Sequence, residues 1–427
     1  MKLQDYKPYL SPALAKTTDI IVGKAEGPYL YDLDGKKYLD FVQGIAVNAL
    51  GHGHPRVVAA IKEQIDLCID ASYNLVSYPT TLAYAKRIAE IAPGDLSVTF
   101  FSNGGSEAID GAIKLARAAT GRPLIVAFRG SFHGRSLGAT SVTASASKYR
   151  KHYEPLVGGI HFAPYPTPFR WGPRDLSVDP ETASEEALLE IKKLFDFIAY
   201  PEDVAAFLIE PIMGEGGYVV PPSSFLKGLR KLADEHGILL IFDEIQSGYG
   251  RSGKYFASEI HGVVPDIMTI GKAMAGGLPM SGIVSKPEVM EKWLPGMHGT
   301  TFGGHPVAAA AGLAVLDVFE EEGILGNVKK QGEYLRGRLS ELQKQYPVIG
   351  DVRGVGLMNA VEFVHPEDHS PNGEAFSKVR AYSEGHGLLL LGCGVYGNGL
   401  RFATPLNVSK EVLDEGLAIF EAALAAL

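Results

Sequence analysis

Short, continuous apolar runs separated by segments of helical periodicity constrain the fold of this chain more than any other feature. Apolar runs without alternation are typical of strands buried on both faces of a parallel sheet. The segments between them, such as Ser106–Ala119 and Ser223–His236, repeat apolar residues at helical spacing. The sequence therefore predicts an α/β fold, with a mostly parallel central sheet flanked by helices. The runs are Val98–Phe101, Leu124–Phe128, Ala206–Ile209, Ile238–Phe242 and Ile267–Ile270.

The length of the chain and a change of pattern along it predict more than one domain. A chain of 427 residues exceeds what one ordinary core accommodates. From about Val315 the pattern becomes a charged amphipathic helix over Asp317–Tyr346, and a final helix begins at Ser409. We expect an N-terminal segment (residues 1–50) that packs with a small domain, a large ligand-binding domain (51–315) and a small α+β domain (316–427).

Three further segments have a recognisable local pattern. Tyr29–Phe41 predicts a β-hairpin around Asp34 and Gly35, because an Asp-Gly pair favours a tight turn. Pro164–Pro180 predicts a long ordered loop over the functional site or at an interface. Gly356–Phe363 predicts a strand of the small domain.

The composition excludes several classes of protein. A formal net charge of −9 argues against a nucleic-acid partner. The only cysteines, Cys68 and Cys393, cannot build a disulfide framework, and His52, His54 and His133 lack a metal-ligand spacing. The first residues lack the apolar core of a signal peptide, and no run of apolar residues is long enough to span a membrane. We expect a cytoplasmic globular protein with no metal, nucleic-acid or membrane partner.

A carboxylate and a lysine follow two of the predicted strands. Asp243 comes directly after Phe242, and Lys272 follows the run that ends at Ile270. A lysine amine can form a Schiff base with the aldehyde of pyridoxal 5′-phosphate, and a carboxylate can keep the pyridine nitrogen protonated. Taken alone, a lysine beside glycines is more often a solvated surface residue, and a strand-end aspartate often caps a helix. The pair therefore predicts a cofactor site only together with further motifs.

Further motifs lie at other strand ends. The glycines of Ser102–Glu107, between a strand and a helix, favour phosphate binding, although a simple helix cap is the alternative. Phe128–Arg135 holds an aromatic that can stack on a flat ring and an arginine that can bind a carboxylate, or else forms a structural turn. Glu210–Gly217 carries two carboxylates, which on a turn are usually surface acids. Thr301 can bind phosphate or cap the helix that follows.

With these motifs in this order, the chain resembles the class III (ω-amino-acid) aminotransferases, which are pyridoxal phosphate enzymes of fold type I. Within that family it is most similar to bacterial enzymes acting on 4-aminobutyrate. The similarity extends from about Gly27 to Leu424. It is carried by Gly44–Val47, Gly105–Ala108, Phe132–Arg135, Ile209–Pro211, Gly214–Gly217, Asp243–Gln246, Lys272, Thr301–Gly304 and Leu400–Phe402.

The resemblance implies how the cofactor, pyridoxal 5′-phosphate, would be bound. Lys272 would form the Schiff base and later move a proton, and Asp243 would pair with the pyridine nitrogen. Thr301 of the partner subunit would complete the phosphate site, which implies a homodimer or a dimer of dimers with shared active sites. The other implied contacts are Gly105 and Ser106 to the phosphate, Phe132 and Ile245 to the ring faces, Gln246 to the ring hydroxyl, and His133 and Glu210 elsewhere on the cofactor.

The resemblance also implies how two different amines share one pocket. Arg135 would bind the distal carboxylate of an ω-amino acid, while Glu215 covers Arg401. When glutamate enters, its α-carboxylate would bind Arg401 and Glu215 would swing away. Arg401 would then have a carboxylate partner with either amine, which matters because an unpaired buried arginine is costly. Ile45 would line the substrate entrance from across the subunit interface.

The function expected from these features is the transfer of the amino group of an ω-amino acid to 2-oxoglutarate. The products would be a semialdehyde and glutamate, formed by a ping-pong mechanism. Acetylornithine, ornithine or 5-aminovalerate are alternative donors. A pyridoxal phosphate-dependent amino-acid racemase or 2-epimerase is the alternative reaction, because it needs the same lysine, aspartate and phosphate site. A catalytically silent relative is a third possibility, for which an intact Lys272 and Asp243 would be unnecessary.

Overall fold

The computed structural model describes residues 2–170 and 177–427. Part of the predicted loop Pro164–Pro180 therefore lies outside the described residues. The strands form three sheets. In chain order they are β1 (Val22–Glu26), β2 (Tyr29–Asp32), β3 (Lys37–Asp40), β4 (Val98–Ser102), β5 (Leu124–Phe128), β6 (Ile160–Ala163), β7 (Val204–Ile209), β8 (Leu239–Asp243), β9 (Ile267–Ile270), β10 (Ser281–Ser285), β11 (Ile349–Val355), β12 (Met358–Phe363), β13 (Leu388–Leu389), β14 (Leu391–Cys393) and β15 (Gly399–Phe402).

The helices lie between these strands and at the chain ends. Several helices begin with proline, because the N–H group at the first position of a helix has no partner within the helix. They are α1 (Gln43–Ala46), α2 (Pro55–Leu67), α3 (Pro79–Ile91), α4 (Gly105–Thr120), α5 (Leu137–Val142), α6 (Pro180–Phe197), α7 (Ser223–His236), α8 (Ser258–His261), α9 (Pro287–Met290), α10 (Pro306–Glu321), α11 (Ile324–Gln345), α12 (Gly373–Gly385) and α13 (Lys410–Ala425).

The central sheet has seven strands in the order β4-β10-β9-β8-β7-β5-β6. Among the described strands of this sheet, β10 runs opposite to the others and pairs antiparallel with β4 and β9, whereas the pairs from β9 across to β6 are parallel. All the predicted apolar runs form strands of this sheet, so the predicted α/β class with a mostly parallel sheet is confirmed. The strands β6 and β10 are additions to the prediction.

Helices cover both faces of the central sheet. Within β5, Ile125 and Ala127 share a buried cluster with the apolar face of α4, whereas Val126 and Phe128 share one with α7. This alternation follows from the two-residue period of a strand. Full burial of a side chain as large as Ile125, Val126 or Phe128 stabilises the fold by about 1.5–3 kcal/mol.

The two smaller sheets lie at the two ends of the sequence. The sheet β1-β2-β3-β13 contains the predicted hairpin, and its β3 pairs in parallel with β13, so Leu39 lies opposite Leu388. The other sheet has the order β11-β12-β15-β14. The N-terminal residues are thus tied to the C-terminal part of the chain. The domain boundaries at residues 50 and 315 remain a prediction.

The prediction of one continuous amphipathic helix over Asp317–Tyr346 is wrong. The chain instead forms α10 and α11, separated at Gly323, whose φ is 62°. A left-handed glycine ends a helix readily because it has no Cβ to clash. The predicted strand Gly356–Phe363 begins at Met358, and an unpredicted strand, β11, precedes it across the turn at Gly356.

Across residues 2–170 and 177–427, no helix combines the length and the apolar character that crossing a membrane requires.

Candidate active site

The predicted site residues gather at one edge of the central sheet. Parallel strands carry their carboxyl ends to the same edge, which is where ligands bind in open α/β sheets. Ser106 lies in the first turn of α4 after β4, the segments after β5 and β7 provide Phe132 and Glu210, β8 ends with Asp243, and β9 leads into Lys272. The order of the strands therefore brings together residues that are far apart in sequence.

Lys272 opens a short 3-10 turn directly after β9. Its φ is 48°, a left-handed conformation that costs a non-glycine residue about 1–3 kcal/mol and that is common at functional sites. The side chain is half-buried, and its Nζ forms no hydrogen bond or ion pair with any described residue. Burial, followed by the positive charge of Arg401, lowers the pKa of Lys272 from 10.5 to about 8. The amine is thus available in its neutral, nucleophilic form near neutral pH.

Asp243 is buried, and each of its carboxylate oxygens accepts hydrogen bonds. Oδ2 accepts from Nδ1 of His133 at 2.7 Å. Oδ1 accepts from Oγ1 of Thr269 and from the backbone N–H of Ile245, each at 3.1 Å. These donors fix the orientation of the carboxylate.

Glu210 joins two loops of the site. Its Oε1 accepts from the backbone N–H of Phe132 at 2.9 Å, and its Oε2 accepts from the N–H of Gly214 at 2.7 Å. Burial raises the pKa of the Glu210 carboxyl, and the neighbouring Asp243 raises it further. Glu210 therefore holds the loop that contains Phe132 against the glycine-rich loop that contains Glu215.

The start of α4 forms a cradle of backbone N–H groups. Glu107 accepts from the backbone N–H of Asn103 at 3.0 Å, but in the described part of the chain the N–H groups of Gly105 and Ser106 have no partner. Oγ of Ser106 accepts from the N–H of Arg135 at 3.0 Å. A Cβ at Gly134, whose φ is 131°, would overlap Ser106, so only glycine allows this close approach. Free N–H groups at a helix start favour a phosphate.

Apolar side chains lie on two sides of the site. Ile245 packs against Gly105 and Gly271, where a Cβ on Gly105 would lie 3.0 Å from its Cδ1. On the other loop, the ring of Phe132 makes an edge contact with the ring of Tyr149 at a centroid distance of 5.5 Å. Ile245 thus lies beside both Lys272 and the start of α4.

The structure does not form the predicted ion pair between Glu215 and Arg401. Glu215 accepts a hydrogen bond from Ser145 at 2.7 Å and another from Tyr149 at 2.7 Å. Arg401, on β15, is buried and donates to Oε1 of Gln246 at 3.4 Å. Its guanidinium also lies 5.8 Å from the ring centre of Tyr218.

Arg135 differs from Arg401 in burial. It is exposed, and its guanidinium lies 4.7 Å from the ring centre of Tyr149. The guanidinium of Arg401 is by contrast buried, and its charge acts on both Lys272 and Tyr149. The site therefore offers two separate positions for carboxylates.

Ile45 and Thr301 lie on exposed parts of the chain. Ile45 exposes 47% of its surface and belongs to a left-handed turn in which Gln43, Gly44 and Ala46 also have positive φ. The backbone oxygen of Thr301 accepts a long hydrogen bond from Ser72 at 3.4 Å, and its side chain is bonded to no described residue.

Some side chains that contact the predicted residues have no sequence signal of their own. Ser145 and Tyr149 lie well after β5 in the sequence, in a segment without a recognisable motif. Thr269 lies inside the apolar strand β9, and only the pairing of β8 with β9 places it opposite Asp243. Strand register would identify Thr269, whereas Ser145 and Tyr149 require the tertiary structure.

The residues present fit pyridoxal 5′-phosphate. Lys272 Nζ has no partner, and the buried Nε2 of His133 also has none within residues 2–170 and 177–427. The open N–H groups of Gly105 and Ser106 suit the phosphate, and the oriented carboxylate of Asp243 suits a protonated ring nitrogen. Together these groups match an aldehyde, a phosphate and a pyridine.

Comparison with known proteins identifies the family. The model of the class III aminotransferases matches residues 11–424. A 5-aminovalerate aminotransferase from Pseudomonas putida is 42% identical, covering 94% of this chain and 92% of the relative. An alanine/serine racemase from Pyrococcus horikoshii is 38% identical, covering 96% of this chain and 86% of the relative.

A solved structure agrees with this assignment. An amine transaminase from an uncultivated Pseudomonas species, in the pyridoxal phosphate-bound form, superposes with a TM-score of 0.90 at 30% identity and covers 98% of each chain. The predicted fold type and cofactor are thereby confirmed. The chain belongs to the class III aminotransferases, enzymes that use pyridoxal 5′-phosphate.

Proposed function

We propose that this enzyme transfers the amino group of an ω-amino acid, such as 4-aminobutyrate or 5-aminovalerate, to 2-oxoglutarate. The observation that carries the proposal is the presence of two separate arginines at the site of Lys272. A donor with one distal carboxylate needs one arginine, whereas glutamate and 2-oxoglutarate, with two carboxylates, need both. The products are then a semialdehyde and glutamate.

In the proposed mechanism, the bound cofactor serves as an electron sink that stabilises negative charge at the carbon carrying the amine. Lys272 would anchor the cofactor, and its free amine would take up and return the proton on the carbon that carries the substrate's amino group. Its depressed pKa, about 8, suits it to act as a base near neutral pH. Asp243 keeps the ring nitrogen protonated, and His133 together with Thr269 holds that carboxylate in place.

The remaining contacts orient the cofactor. Gly105 and Ser106 would hold the phosphate, and Gln246 would contact the ring hydroxyl. Phe132 and Ile245 would flank the ring, while His133 and Glu210 would complete the cofactor contacts. The backbone bonds from Phe132 and Gly214 to Glu210 support this assignment, because they fix both loops relative to the sheet edge.

For the substrates, Arg135 binds the distal carboxylate of the ω-amino acid. Arg401 takes the α-carboxylate of glutamate, and Glu215 neutralises Arg401 when the donor lacks that group. One site then serves both half-reactions, in a ping-pong order. The burial of Arg401 supports this division, since a buried guanidinium without an anion is unfavourable.

We infer that the site is completed in a homodimer, or a dimer of dimers, in the cytoplasm. Ile45 and Thr301 are exposed in the single chain. Exposed side chains on ordered loops suit contacts with a second subunit. Thr301 of the partner subunit would then bind the phosphate, and Ile45 of the partner subunit would line the substrate entrance.

The second candidate function is an amino-acid racemase or 2-epimerase. Its support is the position of Glu215 away from Arg401, which leaves that arginine open to an α-carboxylate. The racemase from Pyrococcus horikoshii among the relatives agrees with it. A racemase would remove and return the α-proton through Lys272 without transferring nitrogen. Acetylornithine and ornithine are further donors for the transaminase.

The half-reaction distinguishes these candidates. The enzyme with its cofactor is mixed with one amine and no oxo acid: 4-aminobutyrate, 5-aminovalerate, ornithine, acetylornithine or an L-amino acid. We expect ω-amines to convert the absorbance of the pyridoxal form into that of the pyridoxamine form. If ω-amines leave the spectrum unchanged while the α-proton of an L-amino acid exchanges with solvent, the enzyme is a racemase.

A further inference from the structure

The carboxylate of Glu215 is bound by two hydroxyl groups. Tyr149 donates to Oε1 at 2.7 Å, and Ser145 donates to Oε2 at 2.7 Å. Ser145 is buried, and Tyr149 is half-buried. Hydrogen bonds to an ionised carboxylate are about twice as strong as neutral ones. Each carboxylate oxygen of Glu215 thus has a hydroxyl donor.

This position of Glu215 leaves Arg401 without an anion. Among residues 2–170 and 177–427, Arg401 forms no ion pair, and its hydrogen bond to Gln246 is long, at 3.4 Å. A buried guanidinium recovers part of its lost hydration energy when a carboxylate binds it. The arrangement therefore favours a ligand that brings an α-carboxylate to Arg401.

Tyr149 contacts three parts of the site at once. Its hydroxyl binds Glu215, its ring face lies 4.7 Å from the guanidinium carbon of Arg135, and its ring meets Phe132 edge-on at 5.5 Å. Burial, followed by the hydrogen bond to Glu215, raises the pKa of Tyr149 to about 12. The hydroxyl therefore keeps its proton, and remains a donor, at neutral pH.

We propose that Ser145 and Tyr149 form a binding site, the Glu215 seat, whose strength sets the enzyme's preference for substrates with an α-carboxylate. When Glu215 occupies the seat, Arg401 is open to glutamate. When Glu215 leaves the seat, it covers Arg401, and a donor without an α-carboxylate is accepted. This inference rests on the proposed function, because it assigns the residues that balance its two half-reactions.

The test uses Tyr149→Phe, which removes the hydroxyl and keeps the ring against Arg135 and Phe132. Ser145→Ala removes the other donor and gives a second variant should the first fail to fold. Tyr153→Phe, at a tyrosine that is 59% exposed, is the matched control. In Tyr149→Phe we expect the apparent affinity for L-glutamate in its half-reaction to fall about tenfold, because one hydrogen bond to a charged group is lost. The half-reaction with the ω-amine should keep its rate or become faster.

Binding of glutarate gives a readout that does not depend on turnover. Glutarate has both carboxylates of glutamate and no amine, so calorimetry with the holoenzyme measures access to the two arginines directly. We expect glutarate to bind about tenfold more weakly to Tyr149→Phe than to the wild type. A crystal structure of this variant should show Glu215 in contact with Arg401.

Equal losses in both half-reactions, or unchanged glutarate binding in both variants, would overturn the proposal. The proposed function fails separately, if the wild type reacts with α-amino acids and with no ω-amine. In that case glutarate binding still decides whether the seat exists. Normal ω-amine turnover with glutarate affinity unaffected by either variant would refute the seat alone.

Discussion

At the scale of single residues, the chemistry depends on a few side chains whose surroundings change their ordinary properties. Lys272 is half-buried near Arg401, and its amine has no hydrogen-bond partner in the described structure. Asp243 is fixed by His133 and Thr269 so that its carboxylate cannot rotate freely. On an open surface, a lysine would stay protonated at neutral pH, and an aspartate would lack this fixed orientation.

The lowered pKa of Lys272 predicts how the cofactor-free protein takes up pyridoxal 5′-phosphate. Only the neutral amine attacks an aldehyde, and half of Lys272 is neutral at about pH 8. The rate of uptake should therefore increase with pH and level off above about pH 8, as followed by stopped-flow absorbance. Nα-acetyl-lysine, with an ordinary pKa, is the control. A rate that keeps rising up to pH 10.5, the ordinary value, would contradict this account.

The lowered pKa of Lys272 also makes the free energy of unfolding depend on pH. The unfolded chain keeps the Lys272 proton up to about pH 10.5, whereas the folded chain releases it at about pH 8. Between these values the unfolded state binds more protons, so the stability of the cofactor-free protein relative to Lys272→Ala increases with pH. Below pH 8 the buried ammonium lowers that stability.

At the scale of elements, the left-handed turn Gln43–Ala46 depends on Asp40. The buried Asp40 accepts from the backbone N–H groups of Val42 at 2.8 Å and Gln43 at 3.0 Å, and its Oδ2 lies 2.9 Å from Nε2 of His52. These bonds hold a backbone that is strained at three non-glycine residues. The turn presents Ile45 on the surface, where the proposed dimer would use it.

Asp40→Ala should therefore destabilise the protein by about 2 kcal/mol, since it leaves buried donors unpaired. It should also lower activity by disordering the turn that carries Ile45. Denaturant unfolding of the holoenzyme measures the first effect, and the half-reaction rate measures the second. Asp34→Ala, in the exposed hairpin turn, is the matched control. Equal stability of the two variants would show that Asp40 does not support the turn.

The local sequence pattern predicts a strand or helix well where that element's own burial determines the pattern. Strands such as β5 and β7 are continuous apolar runs because both of their faces are covered by helices. The strand β10 begins and ends with serine and has few apolar residues, so it is defined by its pairing with β4 and β9. The break at Gly323 lies within a helical pattern and depends on the backbone conformation of one glycine.

In the candidate active site too, some residues are predictable from the sequence and others depend on the tertiary structure. Residues at strand ends, such as Asp243 and Lys272, are predictable because the topology of a parallel sheet brings strand ends together. The contacts of Glu215 with Ser145 and Tyr149 depend on how separate loops fold over that edge. No spacing in the sequence encodes them.

At the scale of the whole molecule, the central sheet positions the residues proposed to bind the cofactor, while the C-terminal sheet contributes Arg401. The proposed substrate site thus joins two parts of the chain, and the proposed second subunit would add Ile45 and Thr301. This arrangement explains why the family match extends over residues 11–424 rather than over the central sheet alone.

The central claim is that this enzyme moves nitrogen from an ω-amine to 2-oxoglutarate. The most direct test incubates the holoenzyme with 2-oxoglutarate and either 4-aminobutyrate or 5-aminovalerate labelled with ¹⁵N, and follows the label by mass spectrometry. The account predicts that ¹⁵N appears in glutamate in proportion to the semialdehyde formed, and that Lys272→Ala abolishes the transfer. Glutamate that stays unlabelled, while the enzyme inverts an L-amino acid, would contradict it.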